Sequence, residues 1–119
     1  MNRIQFFFLL VVSLCTSCIP FQTLNSTTYI KPNDSFILGN NVHGRFSVSV
    51  TNTSVTPITL WQCPIEGGKH SPITLEPAAT VKVKVNKNTA LKIENDTQEQ
   101  IAVQLKVHGD TGLSMGYEK

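Results

Sequence analysis

The strongest constraint on this chain is an alternation of apolar and polar residues with a period of two. Phe46, Val48 and Val50 alternate with Ser47, Ser49 and Thr51, and Val81, Val83 and Val85 alternate with Lys82 and Lys84. Leu91 and Ile93 flank Lys92, and Ile101, Val103, Leu105 and Val107 alternate with Ala102, Gln104 and Lys106. Leu113, Met115 and Tyr117 follow, separated by Ser114 and Gly116. Successive side chains of a strand point to opposite faces, so each run has one dry face and one wet face. β-branched residues dominate these runs, as pleated, half-buried surfaces favour. No stretch after residue 20 sustains helical spacing.

Turn chemistry separates the runs. Asn52-Thr53-Ser54, Pro64 to Gly68, Glu76-Pro77, Asn86-Lys87-Asn88, Asn95-Asp96 and Gly109 to Gly112 supply residues that tolerate tight or positive-φ backbone. Strands are expected near 27–31, 35–39, 45–52, 57–62, 72–75, 80–86, 90–95, 100–108 and 113–118. Short strands at this spacing, each with one wet face, predict an all-β fold, a small antiparallel β-sandwich of about seven to nine strands. Four Asn-x-Ser/Thr triplets, at Asn25, Asn33, Asn52 and Asn95, read as turn composition in a chain rich in these residues.

The first residues read as an address. Arg3 precedes the apolar stretch Phe6 to Val12, and small and polar residues follow around Ser13 to Ser17. This is the order of a secretory signal peptide. The stretch is too short for a transmembrane helix, which needs about 20 apolar residues. Its end, Leu14-Cys15-Thr16-Ser17-Cys18, resembles the lipobox of bacterial lipoproteins. That resemblance implies cleavage before Cys18 and acylation of Cys18, with palmitate among its chains. Ile19 stands where Asp would favour inner-membrane retention, which implies an anchor in the cell outer membrane. The expected organisation is a signal peptide at 1–17, a lipidated N-terminus and tether at 18–28, and the sandwich at 29–119. The alternative is plain secretion, with Cys18 or Cys15 paired to Cys63.

The segments FSVSVTNTSVTPITL and SPITLEPAATVKVKV loosely resemble bacterial immunoglobulin-like sandwich domains. The Cys…Trp…Cys spacing of true immunoglobulin domains is missing. The resemblance informs the fold and carries no activity.

Few residues invite chemistry. Without Arg3, nine Lys and Arg stand against eight Asp and Glu, and no basic run interleaves with aromatics, so nothing points to nucleic acid. Cys63, in Trp61-Gln62-Cys63-Pro64, reads first as a small buried hydrophobe. A nucleophile would need a base and an orienting group, and His70 lies seven residues on, across a Gly-rich loop. His43, His70 and His108 with Cys63 and Met115 raise a copper site, but no pair has ligand-like spacing. Gly67-Gly68-Lys69 lacks the rest of a phosphate loop. The acidic residues are isolated, and Glu94 and Asp96 alone make no acid/base pair. These readings exclude a recognisable catalytic constellation, a cofactor motif and a metal set, and so predict no enzyme.

Trp61 is expected to pin the core, or else to lie in a partner site, since exposed Trp is a frequent hot spot. The expected contact surface is the loop Gln62 to Ser71 with Trp61 beside it, comprising Trp61, Gln62, Glu66, Lys69 and His70. The function expected is therefore that of an envelope lipoprotein, held to the membrane by its lipid and acting as an interaction or assembly subunit for a protein partner. A ligand-binding or inhibitor module is the second reading, and metal handling through Cys63 and the histidines is the third.

Overall fold

A computed structural model of the chain describes residues 23–118. The expected signal peptide and the acylation site Cys18 lie outside the described residues. Among the described residues nine strands follow one another: β1 (Thr23–Ile30), β2 (Asp34–Leu38), β3 (Phe46–Asn52), β4 (Ile58–Pro64), β5 (His70–Leu75), β6 (Thr80–Val85), β7 (Thr89–Asn95), β8 (Ile101–Gly109) and β9 (Met115–Glu118). They form two sheets, ordered β1-β8-β3-β6 and β5-β4-β7-β2-β9. Every pairing is antiparallel. The antiparallel sandwich is thus the fold, with each expected strand present.

The connectivity is more specific than the class. β1 pairs with β8, β2 with β7, β3 with β6 and β4 with β5. Strands 1–4 and 5–8 therefore behave as two arms of one long hairpin. Rolling that hairpin brings β3 beside β8 and β4 beside β7. This is the arrangement of a jelly roll, built from two Greek keys. In an immunoglobulin sandwich the first two strands are neighbours in one sheet, whereas here β1 and β2 lie in opposite sheets. The immunoglobulin-like resemblance therefore does not extend to topology. The cause is local: Lys31-Pro32-Asn33, with Asn33 at φ 59° and the Asp34 amide bonded to the Lys31 carbonyl, carries the chain across the sandwich.

Residues 23–28, expected as part of a tether, are strand. Thr23 to Ile30 pair with His108 to Ile101 without a break. Leu24, Ser26, Thr28 and Ile30 take the inward phase, but three of these four are small or polar or lie near the sheet end. Only Ile30 and Thr28 are fully buried, so the alternation is too faint to read without its partner strand.

The core fills the space between the sheets. Val48, Val50, Val103 and Val107 from one sheet meet Leu38, Leu60, Leu91 and Ile93 from the other, all essentially inaccessible to water. Close packing makes such positions sensitive, and truncating one to alanine costs roughly 2–5 kcal/mol. Two buried asparagines organise the corners. Asn52 donates to the carbonyls of Thr56 and Leu75, and its Oδ1 accepts from the Ser54 amide and hydroxyl. Asn95 donates to the carbonyls of Ile30, Lys31 and Glu99, while its Oδ1 accepts from the Thr97 amide and hydroxyl. Two of the four Asn-x-Ser/Thr triplets are thus turn locks, with the amide turned inward and the hydroxyl closing the loop. Asn25, by contrast, is an exposed strand residue.

β9 departs from expectation in its burial. Met115 and Tyr117 continue the apolar phase, yet are 43% and 58% exposed. Five strands face four, so β9 overhangs the rim with no strand opposite it. Tyr117 packs edge-on against Phe36, with ring centroids 5.5 Å apart.

Candidate functional site

The site forms on the outer face of the five-stranded sheet, where β4 and β7 run in register. Thr59 lies opposite Glu94, Trp61 opposite Lys92 and Cys63 opposite Ala90. Leu60, Leu91 and Ile93 point into the core, so alternation turns Trp61, Cys63, Lys92 and Glu94 outward. On its other side β4 meets an irregularity. Leu60 pairs with Ile73 and Gln62 with His70, so Trp61 alone faces Ser71 and Pro72. Ser71 takes a positive φ of 56°. Two residues against one is a β-bulge, a device that bends a strand and re-aims its side chains. The bulge brings the loop residue Lys69 over Trp61.

The contacts converge on Glu94. The Trp61 indole N–H donates to Glu94 Oε1 at 2.5 Å. The Lys69 ammonium sits 4.2 Å from the centre of the Trp61 ring. Its Nζ is 3.5 Å from Glu94 Oε2, and Lys92 Nζ is 3.8 Å from the same oxygen. The ion pairs are solvent-accessible and contribute about 0–1 kcal/mol each. The cation over the ring adds about 0.5–1 kcal/mol at an exposed site. Their joint effect is geometric: a half-buried Trp61 is held in one orientation from two sides.

Beside it lies a hollow of about 350 Å³. Ile37, Cys63, Pro64 and Ala90 give it an apolar lining, and Asn40, Lys69, Lys92 and Glu118 supply polar groups around it. Burial pushes the Cys63 thiol above the ordinary cysteine value of 9.0, against the opposing pull of Lys92 and Lys69. The group is therefore a neutral thiol at physiological pH. Since the thiolate is the nucleophile, burial lowers the reactivity of Cys63 relative to a free cysteine.

The sequence-predicted contact residues separate. Trp61, expected mainly in the core, faces outward and is half-buried. It meets Lys69. Gln62 has the opposite phase, and its Nε2 donates to the Lys84 carbonyl of β6 at 3.3 Å, which ties the two sheets together. Glu66 is exposed in the loop. His70 opens β5 and its Nδ1 lies 2.8 Å from Ser71 Oγ. Glu94 and Lys92 were not among the expected contact residues. Their i, i+2 spacing marks them as one face of β7, but only the register with β4 places them beside Trp61.

The histidines also lie apart. The buried His43 ring spans two carbonyls, with Nδ1 2.6 Å from Gly44 O and Nε2 2.9 Å from Thr89 O. His108 is on the outer face of the other sheet, 3.4 Å from Thr23 Oγ1. Among the described residues, no three His, Cys, Asp or Glu side chains gather as metal ligands.

No family model and no curated protein matches this chain. Solved structures do resemble it. The capsular polysaccharide assembling protein CapF of Staphylococcus aureus superposes with a TM-score of 0.54 at 15% identity, over 75% of this chain and 24% of that one. A second CapF structure, with the inhibitor 3-isopropenyl-tropolone, gives 0.55 at 15% identity over 75% and 25%. The Yersinia pseudotuberculosis-derived mitogen gives 0.50 at 18% identity, over 72% of this chain and 84% of that one. The chain thus spans about a quarter of CapF. Likeness at these identities concerns the fold alone.

Proposed function

We propose that this chain is a non-enzymatic envelope lipoprotein, tethered through an acylated Cys18, whose sandwich serves as an interaction or assembly subunit. The observation that carries the reading is Trp61, oriented by Glu94 and Lys69 beside a hollow of mixed apolar and polar lining. Aromatic side chains held in place before binding lose little entropy on association, and they dominate contact energies when a partner excludes water around them. A protein partner that inserts an apolar side chain beside Trp61 fits the hollow, with Lys69, Lys92 and Glu118 forming a polar rim.

The test has two arms. Mass spectrometry of the mature N-terminus is expected to find acyl chains on Cys18. An unmodified end reverts the anchor to secretion. A photo-crosslinker at Lys69 in cells is expected to capture a protein that is lost in Trp61→Ala, with the fold intact by circular dichroism. Unchanged capture removes this face as the contact surface.

The reading as a module that encloses a ligand between its sheets gains less support. The buried side chains there form one continuous core, and the hollow beside Cys63 opens on the outer face of its sheet.

A further inference from the structure

The outer face of the four-stranded sheet carries a different chemistry, laid out in cross-strand rows. One row is Asn25, Lys106, Ser49 and Lys82. The next is Thr27, Gln104, Thr51 and Thr80. On the other flank lie Thr23, His108, Ser47 and Lys84. Tyr29, 57% exposed, begins a further row opposite Ala102. All these residues take the outward phase, because Val48, Val50, Val83, Val103 and Val107 fill the inward one.

Three features of this face point to one ligand class. First, its strands are cationic: Lys82, Lys84 and Lys106 lie on it, β1, β3, β6 and β8 contain none of the eight acidic residues of the chain, and Glu99 flanks it only at the Tyr29 end. Second, neutral hydroxyl and carboxamide groups surround the lysines, and each both donates and accepts. Third, the face is indented. A hollow of about 360 Å³ lies across β1, β8 and β3, lined by Asn25, Thr27, Ser49, Thr51, Gln104 and Lys106. That volume is at the lower end of the roughly 300–1,000 Å³ of small-molecule sites.

We propose that this face binds an anionic polysaccharide of uronate type, with one sugar ring in the hollow. Strands lie about 4.8 Å apart and same-face residues about 7 Å apart along a strand, so donors recur on the scale of successive sugar hydroxyls. A ring carboxylate meets Lys106, and its hydroxyls exchange hydrogen bonds with Asn25, Thr27 and Gln104. Lys82 and Lys84 meet the charge of neighbouring sugars, and Tyr29 offers an apolar ring face at the far end. Single-stranded nucleic acid needs several aromatic platforms in succession, and among the described residues this face has Tyr29 and the smaller His108 ring, at opposite ends of β8. A bilayer surface gains about 1 kcal/mol per lysine, too little from three lysines for a stable contact. Hydroxyls and amides outnumber the charges, as a sugar requires. The proposal uses neither Trp61 nor the lipid and stands apart from the reading above.

The test titrates the full chain with oligogalacturonate, followed by NMR, with neutral dextran oligosaccharide, phosphatidylglycerol vesicles and single-stranded DNA as parallel probes. Shifts are expected on β1, β3, β6 and β8 for the uronate, weakening as salt rises. The triple variant Lys82→Gln, Lys84→Gln, Lys106→Gln is expected to bind at least about tenfold more weakly, because charge-assisted contacts are the stronger ones. Gln104→Ala is expected to lose affinity with its charge pattern intact, whereas Trp61→Ala keeps wild-type affinity. No shifts at millimolar uronate, equal binding of dextran, or a stronger response to vesicles or DNA overturns the proposal. So does full binding by a folded triple variant. Should that variant not fold, the wild-type shift map decides alone.

Discussion

The two outer faces of this sandwich present opposite solutions to the same geometry. On the five-stranded sheet, charges are paired: Glu94 sits between Lys69 and Lys92 and receives the Trp61 indole. On the four-stranded sheet, the lysines stand among hydroxyls and amides with no carboxylate in their strands. Pairing spends charge on fixing an aromatic ring. Leaving charge unpaired preserves it for a ligand. A near-neutral total conceals this division, because net charge sums over both faces.

Changes that remove both faces together set the upper limit. Asn95→Ala deletes five hydrogen bonds at a buried corner joining β1, β2, β7 and β8. It strands several buried partners, each costing about 1–3 kcal/mol when left unsatisfied. A loss of about 3 kcal/mol or more is expected in urea unfolding. A loss below 1 kcal/mol would mean that the corners do not hold the sheets. The next effect separates the faces. Glu94→Ala should cost about 1–2 kcal/mol, from one charge-assisted bond and two exposed ion pairs, and shift Trp61 fluorescence to the red. Lys82→Ala should stay within about 0.5 kcal/mol, as for exposed sites without partners. Equal costs would erase the contrast.

Smaller effects sharpen it through pH. Cys63 has its pKa raised in the folded state, above 9.0. Its contribution is therefore present at neutral pH and lost as pH rises past 9.0 toward the folded value. Alkylation by iodoacetamide should be slower than for a free cysteine at pH 7.5 and accelerate only in that alkaline range. Fast alkylation at neutral pH would place a thiolate on the paired-charge face. Asp110 belongs to neither face and serves as a control. Its carboxylate accepts from the amides of Gly44 and Gly112, and these bonds lower its pKa below 3.8, with His43 adding to the pull. That stabilisation holds above 3.8 and disappears as pH falls through the folded value. Asp110→Asn should therefore flatten the acid limb of the stability profile and leave uronate titration and Trp61 fluorescence unchanged.

Much of this architecture was legible in the residues. Val81 to Val85 and Ile101 to Val107 announce their strands, because one buried face forces strict alternation. The turns at Asn52 and Asn95 were equally readable from side chains that bond their own loops. What could not be read was relational. β1 has a weak inward set and becomes a strand only against β8. Met115 and Tyr117 carry core-like alternation, yet overhang because the facing sheet is one strand narrower. Trp61, Lys69 and Glu94 are brought together by register and by a bulge at Ser71, and neither leaves a local signature. The outward rows of the four-stranded sheet are likewise spread over four strands that are distant in the chain.

The rolled hairpin has a consequence for how the molecule comes into being. Thr23 finds its neighbour His108, 85 residues further on, and the innermost pair, β4 with β5, is the only one of the four whose partners are consecutive. During synthesis β1 must wait, unpaired, until β8 has emerged. Chains dominated by such distant pairings fold in milliseconds to seconds, not microseconds. The sequence separation of partners thus grows from the β4–β5 pair outward, and the pairing of β1 with β8 closes the longest loop of the four.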